Sequence, residues 1–175
     1  MDWEAIENQL VQAVRQAFDD FVAENGIDGL YALCLSISED GMGLGLNATT
    51  ESCFNEKLSS ESAIEEITPQ YKSYLRWSPA EWCFEGVGDD IFQPINDTFT
   101  QVALNDEIND SDFLQLINIM IASLRKLRES QAKLLHDITL FVTVTDSDEA
   151  KEIENRSAIE INPPELTQNF VSRIS

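Results

Sequence analysis

The sequence contains one histidine, His136, among its 175 residues. A Ser-His-Asp triad, a His-based acid and base pair and a His-rich metal site therefore cannot be assembled, which removes several large enzyme classes. For His136 itself, between a predicted helix and a predicted strand, we expect a capping or half-buried role. The phosphate-binding pattern G-x-x-x-x-G-K-[ST] is also absent. The sequence therefore predicts no catalytic residue, no metal and no cofactor.

Cysteine is also scarce. Cys34, Cys53 and Cys83 are odd in number and far apart, with no C-x-x-C pair, so we expect reduced, mostly buried thiols and neither a disulfide framework nor a zinc cluster. Long apolar segments are missing as well: residues 29–38 and 138–145 fall short of the ~20 residues that span a bilayer. The first residues lack the basic and apolar regions of a secretory signal. We therefore predict a soluble, cytoplasmic protein with no membrane partner.

Basic residues are also few. The sequence has 11 Lys and Arg but 32 Asp and Glu, which gives a net charge of -21. No basic residue occurs between Arg76 and Arg125, although that window is rich in acids. Such a segment projects a negative field that repels nucleic acid and attracts a basic protein. We predict a basic protein partner and no nucleic acid. Two alternatives remain open, in which the acidity serves solubility alone or adaptation to high salt.

The apolar content, 43% of the residues, is too high for a disordered acidic chain. Apolar residues recur at helical spacing over residues 2–24, 91–102 and 111–128, and a short final helix follows Pro164. Strand patterns occupy residues 30–37, 42–46 and 138–144, and Asn47, Thr49 or Thr50 can cap a helix that follows the second strand. These patterns predict one α+β domain over residues 1–175, with a small, mostly antiparallel sheet packed by several helices.

The segment from Arg76 to Gly86 (RWSPAEWCFEG) carries the densest local signal. Ser78 as the N-cap and Glu81 three residues later would form a capping box at the start of a helix ending near Gly86. Trp77 and Trp82 would then lie at the positions of a hydrophobic staple. The same two tryptophans could instead form an exposed recognition patch, because Trp is enriched at binding hot spots.

Carboxylates are the only abundant catalytic material. Asp146, Asp148 and Glu149 follow a predicted strand, where convergent oxygens could hold Mg²⁺. Acids near a helix start more commonly cap the helix or complement its dipole, so both interpretations stay open. A two-carboxylate glycosidase is compatible with the composition, but no pair is singled out by the order of residues.

Four segments resemble a known family. They are residues 30–36 (LYALCLS), 47–51 (NATTE), 76–85 (RWSPAEWCFE) and the pair Ser157-Ala158 with Asn162-Pro163. Together they are similar, over nearly the whole chain, to the bacterial domain-of-unknown-function 4303 family, and R-W-S-P-x-E-W is the most specific piece. The family has no established activity, so the resemblance implies no catalytic residues. Some members resemble the small acidic immunity proteins kept beside polymorphic or contact-delivered toxins.

The leading hypothesis is a cytoplasmic immunity protein that binds and neutralises a cognate, basic bacterial toxin domain. Its acids would imitate the phosphate path that a nuclease recognises, with aromatic side chains as anchors. The predicted partner-binding residues are Trp77, Glu81, Trp82, Phe84, Glu85, Asp89, Asp90, Asp97, Asp106, Glu107, Asp110 and Asp112. We expect a monomer or weak dimer in the free state. The alternatives are a carboxylate- or metal-dependent enzyme that uses the acids after residue 145, and a general protein-interaction or regulatory module.

Overall fold

A computed structural model describes residues 1–41, 43–103 and 109–173 of the chain. Four strands form one sheet within these residues: β1 (Leu30–Ser38), β2 (Gly45–Thr50), β3 (Phe84–Val87) and β4 (Thr139–Thr145). The order across the sheet is β3-β2-β1-β4. β2 is antiparallel to both β1 and β3, while β1 and β4 are parallel. The predicted α+β class with a small, mostly antiparallel sheet is confirmed.

Seven helices pack around this sheet in the described part of the chain. They are α1 (Trp3–Asn25), α2 (Glu51–Ser62), α3 (Pro69–Trp77), α4 (Asp89–Ala103), α5 (Asp110–Ser130), α6 (Ala150–Ile161) and α7 (Pro164–Val171), with a short 3₁₀ helix at Pro79–Glu81. Helices α1, α4 and α5 cover one face, and α2, α3 and α7 cover the other. Helix α6 lies along β4, at one edge of the sheet.

Alternate residues of β1 belong to two separate cores. Leu33, Leu35 and Ile37 pack with the larger core under α1, α4 and α5, while Ala32 and Cys34 face the smaller one. Both faces of β1 are therefore covered, which explains why its sequence is apolar at nearly every position. Burying these side chains on two faces is the main favourable contribution to folding for such a strand.

The smaller core is mainly aromatic. Phe141 of β4 lies 4.5 Å from the ring of Phe170 and meets Trp82 edge to face at 5.7 Å, measured between ring centroids. Trp77 packs edge to face against both Tyr31 and Phe170. Such pairs contribute about 0.5–1.5 kcal/mol each beyond the area that they bury. These contacts attach α3 and α7 to the sheet.

Side chains of α6 occupy the outer edge of β4. Asn162 donates from Nδ2 to the Leu140 carbonyl at 2.6 Å, and its Oδ1 accepts from the Leu140 N–H at 2.8 Å. Ser157 Oγ accepts from the Val142 N–H at 2.9 Å. Arg128 donates to the same Asn162 oxygen at 2.7 Å. Polar groups that an edge strand would leave without partners are thus satisfied within the chain.

Three local predictions differ from the structure. The prediction of a helix from Ser78 to Gly86 is wrong. The 3₁₀ helix ends at Glu81 and β3 follows, because pairing with β2 overrides the local helical signal. The second strand lies at Gly45–Thr50, later in the chain than predicted. Helix α3 was not predicted. The cap at Thr50 is confirmed, since its side chain accepts from the Cys53 N–H.

Cys53 and Cys83 form a disulfide, so the predicted reduced state is wrong for these two residues. Their Cα atoms are 6.0 Å apart although 30 residues separate them in the sequence. β2 leads directly into α2 and also pairs with β3, which brings the first turn of α2 beside the start of β3. Cys34 is a buried free thiol, as expected, and burial raises its pKa.

We predict that the double variant Cys53→Ser, Cys83→Ser is less stable than the oxidised protein by about 3–4 kcal/mol, the chain-entropy value for a loop of this length. Urea titrations monitored by tryptophan fluorescence measure the difference. Wild-type protein treated with a dithiol reductant should unfold at the same urea concentration as the variant. If both match the oxidised protein, the bond contributes nothing to stability.

A second prediction concerns the edge of β4. Asn162→Ala leaves the backbone groups of Leu140 unsatisfied and removes one acceptor from the Arg128 guanidinium, so unfolding should be easier by about 2–4 kcal/mol. Asn8→Ala, on the exposed face of α1, is the matched control and should change stability by less than about 0.5 kcal/mol. Equal urea midpoints for the two variants would contradict this role of Asn162.

Candidate functional site

Arg76 lies at the centre of the contacts that hold the segment after α3 in place. Its guanidinium donates to both carboxylate oxygens of Glu51, at 2.6 and 3.1 Å, and lies over the rings of Tyr31 and Phe54. Its carbonyl accepts from the Tyr31 hydroxyl at 2.8 Å and from Trp82 Nε1 at 3.1 Å. Burial raises the pKa of Tyr31 to about 12, so the hydroxyl remains a donor at physiological pH. We call these five residues the Arg76 cluster.

The two tryptophans of this segment contact different neighbours. Trp82 is 5% exposed and packs against Phe141, so it is not available to a partner in this conformation. Trp77 is half-buried between Tyr31 and Phe170 and keeps part of its ring at the surface. The predicted staple is wrong, because the helix that it would clasp does not form and each ring packs into the smaller core instead.

Glu81 is also engaged within the molecule. Its carboxylate accepts from the Tyr74 hydroxyl at 2.9 Å and lies 3.0 Å from Lys57 Nζ. The Ser78 side chain makes no capping hydrogen bond at the 3₁₀ helix, so the predicted capping box is wrong. Of Trp77, Glu81 and Trp82, Trp77 alone combines an apolar ring with partial exposure.

The other predicted partner-binding residues within the described ranges lie on three elements. Phe84 and Glu85 are on β3, Asp89, Asp90 and Asp97 are on α4, and Asp110 and Asp112 are in the first turn of α5. Asp106 and Glu107 fall outside the described residues. Within the described ranges, no lysine or arginine forms a salt bridge with an acid of this set other than Glu81. These residues do not share one surface, because Glu85 and Asp110 line different grooves.

A groove of 750 Å³ lies at the carboxyl ends of β1 and β4. Because these strands are parallel, the loops that follow them meet at one edge of the sheet, beside the first turn of α5. We call it the strand-end groove. It is lined by Glu39, Asp110, Phe113, Leu114, Ile117, Ser147, Asp148, Glu149, Glu152, Ile153 and Arg156.

The strand-end groove combines an acidic rim with an apolar floor. Five of its lining residues are carboxylates, and Arg156 is the one cation among them. Arg156 donates to Asn118 Oδ1 at 3.0 Å and lies 3.8 Å from Glu160, so its charge is partly engaged at the far side. Leu114 is 53% exposed and stands beside Phe113 on the floor. A surface of this kind is complementary to a segment with basic and apolar side chains.

The loop between β4 and α6 separates Asp146, Asp148 and Glu149, the three carboxylates of the Mg²⁺ hypothesis. Asp146 adopts a φ of 62° and lines a different pocket, while Asp148 and Glu149 line the strand-end groove. In the described part of the chain, no three His, Cys, Asp or Glu side chains are placed to hold a metal ion together. Directly before α6, the Ser147 Oγ accepts from the Glu149 N–H, and the Glu149 side chain makes no capping hydrogen bond.

The pocket beside Asp146 has a volume of 480 Å³ and lies between α3, the end of β4 and α6. Tyr74 and Trp77 line one side. Glu154 and Arg173 line the other and form a nearly buried ion pair at 2.5 Å. Arg173 also donates to a backbone carbonyl and stacks over Phe170. Because Glu154 and Arg173 pair with each other, these two side chains offer less to a charged partner than the carboxylates of the strand-end groove do.

Two further expectations have structural outcomes. His136 is exposed, with Nδ1 3.0 Å from the Lys133 carbonyl and Nε2 2.7 Å from the Asp137 carboxylate, a contact at the end of the preceding turn and not a half-buried position. Among the described helices, none is both long and apolar enough to cross a membrane.

Sequence reasoning found Asp110, Asp148 and Glu149 but assigned them to different sites, and it missed Glu39, Glu152 and the apolar floor. The missing information was the direction of the β1–β4 pair. One signal was present in the sequence: a long helix directly precedes the last strand, and a connection through a helix commonly makes strands parallel.

A sequence profile described as "Domain of unknown function (DUF4303)" matches residues 10–163. The chain belongs to this family. No curated protein and no solved structure matches it. All residues that line the strand-end groove fall inside the matched range of this DUF4303 chain.

The segments that carried the family resemblance have structural roles in this DUF4303 member. Tyr31, Glu51 and Arg76 belong to the Arg76 cluster, and Ser157 and Asn162 occupy the edge of β4. The acids of the strand-end groove lie outside these four segments. The resemblance therefore identifies the family through residues that hold the fold together, and the candidate site has to be argued from its geometry.

The Arg76 cluster generates a pH prediction. Hydrogen bonds from Arg76 lower the pKa of the Glu51 carboxyl. Because its pKa in the folded state lies below the ordinary value, the stability that Glu51 contributes is present above that ordinary value and is lost as the pH falls through the folded-state pKa. Glu51→Gln should therefore destabilise the protein at neutral pH, and this effect should disappear in acid, once the pH lies below the folded-state pKa. The Glu51 side chain is 48% exposed, so the loss should stay below about 1 kcal/mol.

Urea titrations at both pH values measure this effect, with Glu129→Gln on the exposed end of α5 as the control. A deficit for Glu51→Gln that is equally large in acid would mean that the lost interaction is not the ion pair.

Proposed function

We propose that this protein binds a basic protein partner in the strand-end groove and neutralises it, as an immunity protein does with a cognate bacterial toxin domain. One observation carries the proposal: among the described residues, five carboxylates and the exposed Leu114 line a single groove. The net charge of -21 supports it, because the whole molecule attracts cations while the groove supplies a place for apolar anchoring.

The mechanism is occlusion. The lysines and arginines with which a nuclease contacts phosphates would face Glu39, Asp110 and Asp148, and an apolar side chain beside them would contact Phe113 and Leu114. The acids of α4 and β3 contribute long-range attraction, which speeds association toward about 10⁸ M⁻¹s⁻¹ at low salt. Buried apolar contacts then slow dissociation.

The proposal places this encounter in the cytoplasm, where thiols are kept reduced. The larger core contains neither Cys53 nor Cys83, and helix α2 contributes only Phe54 as a buried residue. We therefore expect the reduced protein to stay folded and to bind. Repulsion between copies of so acidic a chain favours a monomer or weak dimer before the partner arrives.

Co-expression with the product of the adjacent gene tests the function. We expect rescue of growth and co-purification of a basic domain. A triple variant of the groove, Asp110→Asn, Asp148→Asn and Glu149→Gln, should bind that domain at least about tenfold more weakly, because three rim charges are lost. The control removes three charges elsewhere, by Glu4→Gln, Glu65→Gln and Glu129→Gln, and should change affinity less than about threefold.

The outcomes are separable. A partner that binds both variants equally well would move the interface away from the strand-end groove. A neutral or acidic partner would favour a general interaction module, and an association rate that does not fall between low and high salt would contradict electrostatic steering. If this protein does not rescue growth from the adjacent gene product or from its relatives, the immunity function is overturned.

A further inference from the structure

The two edges of the sheet differ in how their backbone is covered. At β4, Ser157 and Asn162 hydrogen bond to the outer backbone groups. At the other edge, β3 has β2 on one side only. Within the described ranges, no hydrogen bond from outside the sheet reaches the backbone of Glu85 or Val87. A strand with free N–H and C=O groups is a template on which another strand can pair.

A groove of 390 Å³ runs between β3 and the C-terminal half of α1, and we call it the β3 groove. Phe84 lies on its β3 side and meets Phe21 of α1 edge to face, with ring centroids 5.0 Å apart. Three carboxylates line it: Asp20 and Glu24, one turn apart on α1, and Glu85 on β3. No lysine or arginine is among the described residues that line it.

β3 is held in place before any partner binds. Asn47 Oδ1 accepts from the Gly86 N–H at 3.2 Å, and in the oxidised protein the disulfide also joins Cys83, directly before the strand, to α2. Gly88, after the strand, has a φ of 72°, and a Cβ there would lie 2.8 Å from the Ala17 Cβ of α1. This close packing fixes the end of the strand against α1. A pre-organised edge loses little conformational entropy when a partner strand pairs with it.

We propose that the free edge of β3 accepts an extended, basic segment of a partner protein as a fifth strand. Backbone hydrogen bonds to β3 provide the pairing, and lysines or arginines of the segment face Asp20, Glu24 and Glu85. A second copy of this chain does not fit, because the same three carboxylates would face one another across the interface. The inference shares only the basic character of the partner with the proposed function, and it uses a separate surface.

The test uses a synthetic peptide of about ten residues with alternating lysine and valine, and an analogue whose central residues are N-methylated. The analogue keeps every side chain and charge, but its methylated central residues cannot donate backbone hydrogen bonds. We expect the peptide to bind with micromolar affinity at low salt and the analogue to bind at least about tenfold more weakly. Hydrogen exchange at Glu85 and Val87 should slow when the peptide is bound.

Charge-reversal variants locate the binding surface. Glu85→Lys should weaken peptide binding at least about tenfold, whereas Glu129→Lys, the same charge change at an exposed position outside both grooves, should have less than about a threefold effect. If Glu85→Lys does not fold, the pair Asp20→Asn and Glu24→Gln on α1 provides the same comparison. Circular dichroism establishes that each variant is folded.

Four results would overturn the inference. These are equal binding of the N-methylated analogue, no binding of either peptide at low salt, a larger effect of Glu129→Lys than of Glu85→Lys, and self-association of the free protein through residues 84–87. None of them bears on the strand-end groove as the site of the basic partner domain, since that proposal is tested with the partner and not with the peptide.

Discussion

Parallel pairing of β1 with β4 joins two segments that are about a hundred residues apart, from Ala32 opposite Thr139 to Ser38 opposite Thr145. The loops that follow both strands consequently meet at one edge of the sheet. The connection between them includes α4 and α5, and both helices cover the same face. The same pairing leaves β4 with an outer edge, which α6 covers with polar side chains. The strand-end groove and the arrangement of both cores follow from this register.

Helical periodicity was sufficient to find α1, α4, α5 and α7, because each has an apolar stripe that its own sequence specifies. Elements that depend on distant partners were lost. β3 has four residues and a local signal for helix, and its strand conformation comes from pairing with β2. The disulfide was missed for the same reason, since Cys53 and Cys83 become neighbours only after β2 has joined α2 and β3.

Composition predicted how much charge the protein carries but not where that charge converges. Residues that are close in the chain, such as Asp146 and Asp148, line different cavities because the loop turns between them. Residues far apart, such as Glu39 and Asp110, line the same groove. The strongest sequence motif, around Arg76, proved to hold the smaller core to the sheet and not to form an exposed patch. A dense motif can therefore indicate the requirements of a fold as readily as those of a site.

The separation between the Arg76 cluster and the strand-end groove has a consequence for how such proteins diversify. Glu39, Asp148 and Glu149 stand on exposed loops that no core side chain depends on. Substitutions at such positions usually change the free energy of unfolding by less than about 0.5 kcal/mol. One scaffold can thus exchange the chemistry of its rim, and with it the ligand that it recognises, without repacking its interior.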